Sequence, residues 1–72
     1  MRMVPIFLKV HALEDPSIVY RINTNTIDYY RAEQSSDSAT LYTVIHFNID
    51  KYVKVSESVE DIDRLLGVDD DD

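Results

Sequence analysis

The chain has 72 residues, no cysteine, one glycine, and fourteen acidic residues against seven basic ones, which makes it one small acidic domain. Without cysteine there is no disulfide, no thiolate zinc site and no thiol nucleophile, and one glycine cannot build a nucleophile elbow or a phosphate-cradling loop. Four of the acids are the terminal Asp69 to Asp72; without them the net charge of −7 falls to −3, so the acidity lies mostly in the tail, and no Lys/Arg cluster marks a nucleic-acid track.

Residues 4–13 alternate, with Val4, Ile6, Leu8, Val10 and Ala12 on one side and Lys9 and His11 on the other. Period two with branched apolar residues predicts a strand. Pro5 has no N–H and places this end at a sheet edge. Lys9 and His11 interrupt the apolar run, which therefore reads as a strand and not a secretory leader. With no apolar run of about 18 residues, no membrane insertion is expected and the chain reads as cytoplasmic.

Residues 14–17 hold Asp15-Pro16, a turn signal, and residues 18–22 form the second strand of a hairpin. The four polar residues from Asn23 to Thr26 predict a bend or bulge. A third strand covers 27–33, with Ile27, Tyr29 and Arg31 opposite Asp28, Tyr30 and Ala32. After a polar loop, residues 39–47 alternate apolar groups on both faces: Leu41, Thr43, Ile45 and Phe47 against Tyr42, Val44 and His46. Residues 48–51 make a tight connection to a fifth strand at 52–55. A hairpin apolar on both sides needs cover on both sides, and with one short helix available a second subunit is the expected second cover.

The helix spans about 59–66. Ser58 and Asp61 form a capping-box variant, Glu60 and Asp61 suit the positive end of the dipole, and Val59, Ile62, Leu65 and Leu66 make one apolar stripe. Gly67 supplies the left-handed terminator. The expected architecture is α+β, a small twisted antiparallel sheet of four to five strands with one C-terminal helix. Residues 1–68 form the single β-rich domain and 69–72 an acidic disordered tail.

No residues converge on a catalytic, cofactor or metal site. His11 and His46 are separated and alternate with apolar strand residues, and the aspartate run lacks the spacing and turn glycine of a calcium loop. The sequence therefore predicts a non-catalytic, protein-binding or regulatory module. A chain this short buries only about 60% of its unfolded surface, so self-association is expected, a homodimer first, through strand edges. Five tyrosines lie on predicted strands, and tyrosine suits interfaces. The candidate interface comprises Ile6, Leu8, Tyr20, Tyr29, Tyr30, Tyr42 and Tyr52, with the strand edge at 4–10. Tyr29 and Tyr30 are neighbours and must face opposite sides.

A second reading is an acidic inhibitor, such as a phage encodes, that covers a basic surface on a nucleic-acid-processing or defence machine through Glu57, Glu60, Asp61, Asp63 and the tail. A third is a nucleotide-binding sponge at a subunit interface, built from tyrosines with Arg21 or Arg31.

Ile22-Asn23 with Ile27, then Lys51-Tyr52-Val53, then the run from Val55 through Glu57, Ser58, Glu60 and Asp61 to Ile62 carry a likeness. In these stretches, within 22–31 and 51–66, the chain resembles the short FlbD-like (swarming-motility) flagellar family and similar small phage-borne proteins. That family shows a hydrophobic-Asn step, an isoleucine four residues on, a strand hairpin, and a Val-x-Glu-Ser-hydrophobic-Glu-Glu ending. The chain departs from it with Ile49-Asp50 where the hairpin glycine would be and with a longer loop at 34–39. The resemblance implies a small sheet with a helix and a non-enzymatic, protein-binding role.

Overall fold

The computed structural model describes residues 6–68; the strand start at Val4 and Pro5 and the tail at 69–72 lie outside the described residues. Five strands and one helix follow in order: β1 (Phe7–His11), β2 (Val19–Asn23), β3 (Ile27–Gln34), β4 (Leu41–Phe47), β5 (Lys51–Val55) and α1 (Val59–Leu66). The chain is α+β and antiparallel throughout. The strands divide into two sheets, however, a β1–β2 hairpin and a β3–β4–β5 meander, where one sheet was expected.

The division has two local causes. Between β2 and β3 the polar segment Thr24–Thr26 winds into a 3-10 turn. The Asn23 side chain accepts from the Asn25 N–H at 2.9 Å and the Thr26 hydroxyl donates to the Asn23 carbonyl at 2.8 Å, so polar side chains compete with a ladder and redirect the backbone. At the other end β1 meets β5 only at the Ala12–Val55 bridge. That bridge is flanked by Leu13 N–H to Lys54 O at 3.0 Å and Ser56 N–H to His11 O at 2.9 Å.

The core lies between the sheets. Leu8, Val10 and Ile22 from the hairpin meet Ile45 and Val55 from the meander, and Ile62 of α1 closes the end. Fully burying such side chains contributes about 1.5–3 kcal/mol each. Ile6, expected on the same side as Leu8, precedes β1 and is exposed.

The helix has the expected bounds because both ends are chemically marked. Ser58 Oγ accepts from Asp61 N–H at 3.0 Å, and the Asp61 carboxylate accepts from Ser58 N–H at 3.4 Å. Gly67 adopts φ 73°, and Gly67 and Val68 donate to the Arg64 and Asp63 carbonyls at 3.2 and 2.9 Å, the Schellman arrangement. Of the apolar stripe, Ile62 is buried, Val59 and Leu66 half-buried, and Leu65 is exposed.

A bulge in β3 corrects one predicted face. Ile27 pairs with Phe47 and Tyr29 with His46, so two steps on β3 match one on β4 and Asp28 is the extra residue. Ile27 therefore joins Tyr30 against the core, and Tyr29 faces outward with Arg31.

Candidate binding surface

Register defines the outer face of the meander. Tyr29, His46 and Tyr52 form one cross-strand row; Arg31, Val44 and Lys54 form the next; Glu33 and Tyr42 follow. Val44 and Tyr42 are only 3% and 8% exposed although no second layer of described residues covers them. Their cover is local. The long side chains of Arg31 and Lys54 flank Val44, and the Lys54 ammonium lies 5.8 Å from the Tyr42 ring centroid. The sheet's own side chains thus give this face part of the cover that was expected from another subunit.

The aromatic row is open to solvent. Tyr29 and Tyr52 are 54% and 58% exposed. The Tyr29 and His46 rings stack with centroids 4.3 Å apart and planes 14° from parallel; Tyr52 sits looser, at 5.8 Å and 35°. His46 Nε2 is shielded from solvent and has no hydrogen-bond partner among the described residues. Leaving such an atom unsatisfied costs about 1–3 kcal/mol. A shallow recess of about 250 Å³ runs alongside, lined by Arg31, Glu33, Val44, His46, Tyr52 and Lys54. Arg31 pairs with Glu33, whereas Lys54 makes no ion pair among the described residues.

A second surface lies where β1 begins and the β4–β5 hairpin turns. Thr24 N–H donates to Ile6 O at 2.9 Å and Asn48 N–H to Thr26 O at 3.0 Å, which ties these segments together. Asn48 and Ile49 both have left-handed backbones, at φ 51° and 72°. For a β-branched residue this is a sterically costly conformation. The bulged Asp28 holds it there, its carboxylate accepting from Ile49 N–H at 2.8 Å. The Ile49 side chain is 92% exposed, and Ile6 and Phe7 are also exposed. Phe7, Ile22, Phe47, Asn48 and Val53 contribute to a groove of about 420 Å³ at this end.

The predicted interface residues separate into two groups. Leu8 is 1% exposed and Tyr42 is buried, so neither is available as a contact; strand alternation turns Leu8 into the core, and Lys54 covers Tyr42. Tyr20 and Tyr30 are half-buried against the core. Ile6, Tyr29 and Tyr52 remain as surface groups. Tyr29 and Tyr30 do face opposite sides, and Tyr30 donates its hydroxyl to Asp63 at 2.5 Å. Burial first, and the Asp63 carboxylate second, push the Tyr30 phenol up to about 12.

Three of the four predicted acidic contacts are engaged within the fold. Glu57 accepts from His11 N–H at 3.0 Å and binds His11 Nδ1 at 2.6 Å, occupying the edge of β1 just beyond the 4–10 stretch expected to be open. Burial acts to raise the Glu57 pKa, but the hydrogen bonds from His11 outweigh it and hold the carboxyl below its ordinary value. Asp61 serves the cap and pairs with Arg64 at 2.9 Å, while Asp63 holds Tyr30. Of the four, Glu60 is exposed and makes no ion pair or side-chain hydrogen bond among the described residues. Sequence periodicity missed the roles of Asp28, His46 and Ile49; the missing hairpin glycine was the one signal that pointed to Ile49.

Among the described residues no three His, Cys, Asp or Glu side chains form a metal-binding group, and no helix is long and apolar enough to cross a membrane. No protein-family model, curated protein or solved structure matches the chain.

Proposed function

We propose that this chain is a non-catalytic protein-binding module that self-associates, with the Ile6–Phe7–Ile49 end as its principal contact. One observation carries this reading: Ile49 is a fully displayed apolar side chain kept in a backbone conformation that glycine or asparagine would occupy at lower cost. Neither the strain nor the exposure helps the isolated fold. Both are explained if the side chain is buried by another surface. The resemblance to the short FlbD-like proteins supports the same class of role.

Association through the strand edge at 4–10 is a second route, since the Glu57 contact lies at His11, outside that stretch. The acidic-inhibitor reading is weakened, since Glu57, Asp61 and Asp63 are bound to His11, Arg64 and Tyr30. Size-exclusion chromatography with light scattering tests the proposal. The expected result is a homodimer at high micromolar concentration that dissociates on dilution. A clean monomer at that concentration, unchanged by added cell extract, would rule the reading out.

A further inference from the structure

We infer that the outer face of the meander is a binding site for a small phosphorylated molecule carrying a planar ring, the chemistry of a nucleoside monophosphate. This site is separate from the apolar end and goes beyond the self-association reading. Three independent features meet there. The first is an exposed aromatic row, in which His46 is stacked tightly on Tyr29 and only loosely on Tyr52. A planar ring entering on the looser side gains the stacking that exposed sheet-borne aromatics offer to bases.

The second is His46, which lines the recess and whose shielded Nε2 has no hydrogen-bond partner among the described residues. Buried polar atoms are nearly always paired, and one left over calls for a partner, which a ligand atom can supply. A ring lying over Tyr52 with its polar edge turned towards the imidazole supplies that atom.

The third is charge. In a chain of net charge −7, Arg31 and Lys54 stand on either side of Val44 on the floor of the recess. Glu33 holds the Arg31 guanidinium, while among the described residues Lys54 has the Tyr42 ring beneath it and no ion pair. A phosphate bridging Lys54 and the remaining Arg31 donors meets the two cations one strand row from the aromatic groups. The recess of about 250 Å³ is small, in keeping with one ring and its phosphate as the occupant.

The geometry also predicts effects of opposite sign. Lys54→Gln removes the unpaired cation and weakens binding by about tenfold, the value of one charge-assisted hydrogen bond. Glu33→Gln frees Arg31 and strengthens binding by a few-fold, an outcome a purely structural residue would not give. The test is titration of the full, isotope-labelled chain with adenosine monophosphate, phenyl phosphate, adenosine and inorganic phosphate, followed by amide and histidine-ring NMR shifts. The expected result is saturable binding of both ring phosphates, weaker binding of adenosine and of phosphate alone, and shifts at Tyr29, His46, Tyr52 and Lys54. Absence of saturable binding by either ring phosphate up to millimolar concentration overturns the proposal. So does binding unaffected by Lys54→Gln, or binding by inorganic phosphate as tight as by the ring phosphates, which would indicate an adventitious ion only.

Discussion

The two faces of the β3–β4–β5 sheet carry nearly the same alternating apolar residues yet are covered in different ways. The inner face presents Tyr30, Ile45, Val53 and Val55 to a core completed by the hairpin and by Ile62 of α1. The outer face buries Val44 and Tyr42 beneath the chains of Arg31 and Lys54 and then leaves Tyr29, His46 and Tyr52 as an open row. Apolar residues on both faces therefore do not by themselves require a second protein layer. Long side chains suffice where the buried group is small, and what they leave uncovered is the informative surface.

The comparison can be broken most directly at adjacent residues of β4. Ile45→Ala opens a cavity between two sheets and a helix, and should lower unfolding free energy by about 2–5 kcal/mol in a urea titration. Val44→Ala, beneath flexible chains that can collapse onto it, should cost only roughly 1–2 kcal/mol. Equal losses would mean that the outer face is as rigidly packed as the core.

Next in size is the latch between β1 and the segment before α1. Glu57→Ala leaves the His11 N–H and ring without their acceptor, and should cost about 1–3 kcal/mol at neutral pH. The pH dependence follows from the depressed Glu57 pKa. Its contribution is complete above the unfolded value near 4.5, and is lost as pH falls through the lower folded value. Acid unfolding should therefore be less steep in the variant. On the alkaline side, Tyr30 has a folded pKa raised to about 12, so its contribution is full below 10.0 and lost as pH rises towards 12. Ultraviolet titration should show a late-ionising tyrosine that is absent in Tyr30→Phe.

The smallest effect should have the opposite sign. His46→Leu removes the unpartnered Nε2 while keeping apolar contact with Tyr29, and should leave stability unchanged or raise it by up to about 1 kcal/mol. A clear loss would show that the outer aromatic row is structural.

Much of the fold was legible in the sequence where one or two residues decide it locally. Ser58, Asp61 and Gly67 marked both ends of α1, and period-two alternation placed the five strands within a residue or two, apart from the start of the first. The division into two sheets was not legible, because it depends on whether the polar residues 23–26 extend a ladder or bond to their own backbone. Nor was the bulge at Asp28, whose register is set by pairing with β4. The tyrosine surface was half legible: alternation separates Tyr29 from Tyr30 but does not say which is covered. The acidic residues misled because sequence shows charge and not partners: His11 and Tyr30 are distant in sequence from Glu57 and Asp63 and meet them only in the fold, while Asp61 pairs with Arg64 one helical turn on.

Ile49 and His46 share one property, an outward group retained at a cost to the isolated fold. The most direct test of the proposed function is therefore Ile49→Gly, with equilibrium unfolding and sedimentation measured on the same samples. Glycine relieves the left-handed backbone, so the monomer should gain up to about 1 kcal/mol while dimer formation weakens by at least tenfold. A variant that loses stability, or that associates as tightly as the parent chain, would contradict the account.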